Sequence, residues 1–471
     1  MEAFAGIGVV IALVWASVFV LRGSLVAGCL TFLFVNSCFG FYFFNTRIGP
    51  VEITLDRIVL VLVLGTYVVH RALGRTVPRR LAAGDWGVLA FVGWLAISTF
   101  TSEFTAALPG HVLPVWHLIV GYASPLLIYW IVRQAPLNER TVRGVQLFFI
   151  GLGIYLAVTA VAEINHLWWA VFPGHIADPA AGLHYGRTRG PMVHSIVLGF
   201  CLSLSALCLW VYRDRLSGRG KIGSLGVLGL LLIGVLGTYT RCVWMGAAAG
   251  LLVVMGMTLP RRVSAVLLTG ALSCGLLLAA TQWDRLVNLS AGRSAAETRD
   301  STYMRASFAY LSWQMFLDHP VLGVGLGQYI RAKDDYLSDR TTELRLEAVR
   351  DQLLHNLPLS ILVETGLIGF GLYLAMFYFW IRNAWRLAIN RQLPDWVRSE
   401  GRVMLGLVAA YIPNALFQPL GHMNIVHMLF FFVAGMTAAL ASTSQTPLVA
   451  RRVAPLRGQR QSELLAACDF G

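Results

Sequence analysis

A helix that crosses a bilayer needs about 20 apolar residues, and this chain carries one such run after another. They lie at 3–21, 24–44, 53–69, 86–102, 115–132, 142–163, 191–212, 222–240, 242–259, 263–282, 357–381, 402–418 and 425–441. Backbone amides in hydrocarbon have no water to bond, so each run must satisfy itself as a helix. The expected fold is therefore all-α: a polytopic transmembrane bundle of about 12–13 spans with one helical loop outside it. Composition agrees, because only 13% of the 471 residues are charged, against roughly 25% in a soluble domain. Hydrophobic residues make up 57%, which excludes disorder. The first run lacks a basic leader and a clear small-residue cleavage site before Arg22, so it reads as a retained helix.

The net charge of +13 invites a nucleic-acid reading, which needs a basic face on a folded domain. Here the basic residues sit between the apolar runs instead, and 23 of the 37 fall in alternate connections. That alternation is the positive-inside signature of orientation. It puts the C-terminus in the cytoplasm, the N-terminus outside, and the long connection 283–356 outside. The expected organisation is a bundle over 1–282, an outer helical loop over 283–356, further bundle over 357–441 and a cytoplasmic tail over 442–471. Membrane lipids are the expected surroundings, and no nucleic acid is expected as a partner.

The long connection has helical patterning of its own. Met304, Phe308, Leu311 and Met315 recur at helical spacing beside Tyr310 and Trp313, as an interfacial helix does, and Pro320 stops it. A second, more polar helix is expected over 339–353, with Asp339 as N-cap and the pairs Arg340/Glu343 and Glu347/Arg350 at i,i+3. No internal repeat is visible, which disfavours repeat-built transporters. Six of the seven cysteines fall in apolar runs with no metal-ligand spacing. His422 and His427 are five apart, about 140° round a helix, so no metal and no cofactor is expected.

Three places at the expected outer face carry chemistry. Arg187 and Arg189 lie in Gly186–Pro191, Arg241 lies in a short turn between two very apolar runs, and His355-Asn356 precedes the run at 357. An arginine so near membrane depth either snorkels to headgroups or binds an anionic group, for which its planar fork suits phosphate oxygens. His355 precedes a helix start near Pro358, where the positive helix end favours neutral imidazole. It is either a structural histidine or a general base. Glu364 pairs with an arginine or bonds within the bundle. Gly323-Val324-Gly325-Leu326-Gly327 lacks the spacing and preceding strand of a nucleotide loop and reads as a glycine turn.

Taken together, Arg305 through Tyr329 (RASFAYLSWQMFLDHPVLGVGLGQY), His355-Asn356 and Glu364-Thr365-Gly366-Leu367-Ile368-Gly369 resemble the bacterial O-antigen ligase and O-antigen polymerase family. Thr240-Arg241 and Arg189-Gly190 resemble that family's other signatures, and the resemblance spans 187–381. Pro191-Met192-Val193-His194 stands where the family often has an Asn, which leans the reading toward a polymerase. The resemblance implies a metal-independent transferase moving glycan from a polyprenyl-diphosphate carrier to a glycan or lipid A-core acceptor, in a bacterial inner membrane with the helical loop 283–356 and the active site facing the periplasm. It casts His355, Arg241 and Arg189 as catalytic, and Arg187, Arg305 and Glu364 as substrate-binding. The rival expectation is a flippase for the same lipid-linked glycan, which would need charges near the midplane rather than at one face.

Overall fold

The computed structural model describes residues 23–48, 51–76, 78–102, 113–266, 269–270, 273 and 295–444. The expected run at 3–21, most of 263–282 and the tail beyond Ser444 lie outside the described residues. Helix α1 (Leu25–Cys38) leads into an antiparallel hairpin of β1 (Asn45–Ile48) and β2 (Val51–Thr54), with Arg47 opposite Glu52. Then come α2 (Leu55–Ala72), α3 (Ala83–Thr101), α4 (Pro114–Gln134, with a π turn at Ile119–Ala123) and α5 (Glu139–Ile164). After an irregular segment follow α6 (Ser195–Tyr212), α7 (Gly218–Gly237) and α8 (Arg241–Thr258). Helix α9 (Ala295–Asp318) belongs to the long connection, and α10 (Leu357–Ile389), α11 (Asp395–Phe417) and α12 (Asn424–Ser444) complete the bundle.

Among the described residues, α3 to α8, α10 and α12 are the eight helices long and apolar enough to cross a membrane. The protein is a multi-pass, all-α membrane bundle. The hairpin is the sole sheet among the described residues. Thr46, Ile48, Val51, Ile53 and Thr54 are β-branched and favour strand over helix, and the hairpin they form fills the connection between the runs expected at 24–44 and 53–69.

Helices α6 and α12 run through the middle and are buried along nearly their whole length. The closest helix pair, α8 with α11, meets through Gly246 and Gly250, four apart. A Cβ on Gly246 would stand 2.5 Å from the Ala410 carbonyl oxygen, and one on Gly250 would stand 2.7 Å from that of Gly406. Without a hydrophobic drive between helices in lipid, this backbone proximity supplies the attraction.

Arg79, Arg133 and Arg215 lie together at one end of the bundle. There Asp85, in the first turn of α3, takes a two-pronged ion pair from Arg133 of α4, with Nε–Oδ1 and Nη2–Oδ2 both at 3.1 Å. Tyr129 donates to the same carboxylate at 2.6 Å, and Arg79 donates to the Ala135 and Ala439 carbonyls, tying α4 to α12. The opposite end carries the long connections.

Helix α9 forms where its spacing places it. Phe308, Leu311 and Met315 are buried against Tyr329, Ile330, Leu337, Leu346 and Val349, a small core separate from that of the bundle. The polar helix expected over 339–353 does not form. Only a 3-10 turn at Leu346–Val349 is present, and Asp339 closes a local turn with the Thr341 amide while accepting from the Tyr310 hydroxyl. The segment follows tertiary contacts instead: Leu346 and Val349 are buried against α9, and Lys333, fully buried, donates from its ammonium to the carbonyls of Val349 (2.7 Å) and Gln352 (2.6 Å). The Glu347–Arg350 pair does form, at 2.9 Å.

Candidate functional site

The segment between α5 and α6 folds back over the helix ends. Glu163, at the last turn of α5, accepts from the amides of Arg189 (3.0 Å) and Gly190 (2.8 Å). The Arg189 side chain, 1% exposed, is turned inward and donates to the carbonyls of Ile176, Asp178 and Ala181 across the face of Tyr185. It clamps this segment. Thr188 then bonds α7 through the Gly237 carbonyl (3.0 Å) and the Gly234 carbonyl (3.2 Å). The clamp leaves Arg187 at the turn that carries Arg241, where its guanidinium donates to the Tyr239 carbonyl at 3.5 Å.

Backbone strain concentrates here. His184, Val193 and Tyr239 all have positive φ, a conformation that persists only where the surroundings enforce it and that clusters at functional sites. His194 packs edge-to-face on His184, and burial, then the neighbouring imidazole, pushes its pKa down to about 3. It is neutral at physiological pH.

Arg241 opens α8, half-buried, and the next residue, Cys242, accepts from the Gln418 amide at 3.5 Å. Gln418 and Phe417 end α11, and Arg305 of α9 lies over the Phe417 ring at 5.3 Å. Arg305 also acts electrostatically on both Cys242 and His355. Thus α8, α9, α11 and the start of α10 converge around Arg305, and Arg187 joins the turn that precedes Arg241. Arg189 stands behind it.

His355 is held in a defined protonation state. Its Nδ1 lies 2.7 Å from the Leu353 carbonyl oxygen, which can only accept, so Nδ1 carries the hydrogen and Nε2 keeps its lone pair. Burial first, and the charge of Arg305, lower its pKa below the ordinary histidine value; the Leu353 hydrogen bond opposes them. The direction matches the sequence expectation, but burial rather than the helix end leads. Asn356 caps α10 by accepting from the Leu359 amide at 2.9 Å, which fixes the backbone beside His355. Lys333, its pKa lowered to about 8 by burial, holds the strand of chain leading to it. Neither Lys333 nor Gln418 stands out in the sequence, since each works through contacts that no local spacing reveals.

Glu364 sits two turns into α10, where Gly366 (φ +64) interrupts the helix. The freed carbonyls of Val363 and Glu364 accept from the amides of Val324 and Gly325, and the Leu367 amide donates to the Pro320 carbonyl. Gly323 packs on this break; a Cβ there would lie 2.4 Å from the Glu364 carbonyl carbon. The glycine run is therefore a docking turn for a broken helix. Beside it opens a cavity of about 280 Å³ reached by Glu364 and walled partly by Leu353, Leu354 and Leu357, the residues flanking His355. The chemistry available is a histidine with a free ring nitrogen when neutral, guanidinium groups on neighbouring elements and a cavity of mixed lining.

Residues 226–374 match the family model for O-antigen ligase, which bears out the resemblance to the O-antigen ligase and polymerase family. The matched segment includes Arg241, Arg305, His355 and Glu364, and Arg187 and Arg189 precede it. No curated protein matches the chain. The match supports a membrane enzyme of the O-antigen ligase or polymerase type.

Proposed function

We propose, from this family match and these converging elements, that the protein transfers a glycan from a polyprenyl-diphosphate carrier to an acceptor hydroxyl at the outer face of a bacterial inner membrane. The observation that carries the reading is the locked His355 tautomer within reach of the Arg305 charge. His355 Nε2 takes the proton of the acceptor hydroxyl as that oxygen attacks the anomeric carbon. The bond from that carbon to the carrier diphosphate breaks, and the configuration inverts. Arg241, Arg187 and Arg305 bind the diphosphate and neutralise the charge it gains on leaving, the role a metal would otherwise fill. Arg189, whose donors are engaged by backbone carbonyls, is a positioning residue that sets Arg187 at the Arg241 turn. The basic residues at the opposite end face the cytoplasm under the positive-inside rule. The segment at Pro191–His194, in its strained turn, leans the reading toward polymerisation.

The test is glycan transfer in reconstituted vesicles by the wild type and by Arg241→Lys. Lysine keeps the charge but loses the planar fork, so kcat/KM for the donor is expected to fall about tenfold or more, the worth of one charge-assisted hydrogen bond. A rate equal to wild type would remove Arg241 from diphosphate recognition.

A further inference from the structure

A second cavity, of about 730 Å³, opens between the last turn of α3 and the glycine run, and the proposed chemistry uses none of its residues. Thr101 and Ser102 wall it on one side, Gly323 and Val324 on another, and Arg331 and Asp335 of the short helical stretch 329–336 complete it. The volume lies within the ~300–1,000 Å³ of sites for small ligands. Helix α3 is long and apolar enough to cross a membrane and ends at Thr101, so the cavity sits where a bilayer meets water.

The rim of the cavity is apolar. Ile97 and Leu322 border it, and Phe100, Val321 and Leu367 continue the same surface, all of them more than half exposed. Leu367 is held there by its amide, which donates to the Pro320 carbonyl at 2.9 Å. An exposed apolar patch at the end of a membrane span is a surface for lipid. A ligand that enters across such a rim carries acyl chains beside a polar head.

The polar wall specifies the head. The Thr101 hydroxyl donates to the Ile97 carbonyl at 2.9 Å, and that of Ser102 donates to the Ser98 carbonyl at 2.8 Å. Each hydroxyl has spent its one hydrogen, so it offers the cavity lone pairs. The exposed carboxylate of Asp335 is a third acceptor, whereas the exposed guanidinium of Arg331 brings five donors and suits phosphate oxygens. A phosphate alone would answer Arg331 but face Asp335 across the cavity. A zwitterion answers both. A primary ammonium has three N–H donors for Asp335, Thr101 and Ser102, and a quaternary ammonium has none.

We propose that this cavity binds a phospholipid of the surrounding bilayer and selects a phosphoethanolamine head. Arg331 holds the phosphate, Asp335 and the two hydroxyls hold the ammonium, and the acyl chains run over Ile97 and Leu322. The lipid rests on Gly323 and Val324, in the turn whose amides bond the broken stretch of α10 at Val363 and Glu364, so it braces that contact. The site is separate from donor and acceptor binding and stands whether or not the chain is a transferase.

Native mass spectrometry of the full-length protein tests it, with phosphatidylethanolamine, phosphatidylcholine and phosphatidylglycerol of identical acyl chains. Phosphatidylethanolamine is expected to bind about tenfold or more tighter than phosphatidylcholine, the worth of one charge-assisted hydrogen bond. Asp335→Asn should erase that preference, and Arg331→Gln should weaken both lipids alike. Both positions are exposed, and an unchanged thermal midpoint without added lipid checks that the variants fold. Equal binding of the three lipids, or a preference that survives Asp335→Asn, overturns the site. Preference for phosphatidylglycerol would show that it reads phosphate alone. Displacement of phosphatidylethanolamine by an equal concentration of polyprenyl phosphate would assign the cavity to the carrier lipid instead, and either result overturns the proposal.

Discussion

Replacing His355 by Ala is expected to lower the transfer rate by 10²- to 10⁴-fold, about 3–5 kcal/mol of barrier, with the fold retained. The imidazole acts as base only through Nε2, because the Leu353 carbonyl holds the hydrogen on Nδ1. The helix start survives the substitution, since Asn356 and not His355 caps α10. The pH profile gives an independent check. A base must be neutral, and burial lowers the His355 pKa, so wild-type kcat/KM stays level as pH falls to the ordinary histidine value and drops only below it. Arg305→Gln removes a nearby positive charge, raises that pKa and moves the acid limb toward neutral. A His355→Ala enzyme with wild-type turnover, or an acid limb indifferent to Arg305, would remove His355 from the chemistry.

Arg133→Met is expected to destabilise the bundle by about 3–5 kcal/mol, because it strands the Asp85 carboxylate at a buried site. Asp85 and Arg133 are 2% and 1% exposed, and the pair closes α3 onto α4 through two hydrogen bonds. The attraction within such a pair barely repays the desolvation of both ions, so losing one partner costs far more than losing both. Arg133→Met should therefore lower the thermal midpoint in detergent markedly, and adding Asp85→Asn should restore much of it. Equal midpoints for the single and double variants would show that the pair is not what holds this end together.

The spans were legible because hydrocarbon leaves the backbone a single local solution. The turn at Thr238–Thr240, the helix ending at Asp318 and the break before Pro320 all fall where apolar runs and proline place them. The hairpin at 45–54 lies mostly in the gap between the runs at 24–44 and 53–69, and only its β-branched residues hint at it. In place of the helix expected over 339–353, contacts from outside the segment hold the chain: Lys333 on the Val349 and Gln352 carbonyls, and Tyr310 on Asp339. At the site, the residue types pointed to anion binding and a base, and the fold sets Arg305 beside His355 and Arg187 at the turn before Arg241. Arg189 looked equivalent to Arg187 in sequence, yet its partners are carbonyls of irregular chain whose approach no spacing encodes. The stacking of His117 on His422 joins helices distant in sequence and was invisible for the same reason.

The central claim is that this protein joins a lipid-linked glycan to a hydroxyl rather than moving it across a membrane. The direct measurement is the fate of a radiolabelled glycan on its polyprenyl-diphosphate carrier, in vesicles holding the purified protein and an acceptor glycan. The account predicts that label leaves the lipid and appears on the acceptor, with one carrier diphosphate released for each glycan moved. Label that crosses the bilayer still attached to its carrier, with none on the acceptor, would contradict it.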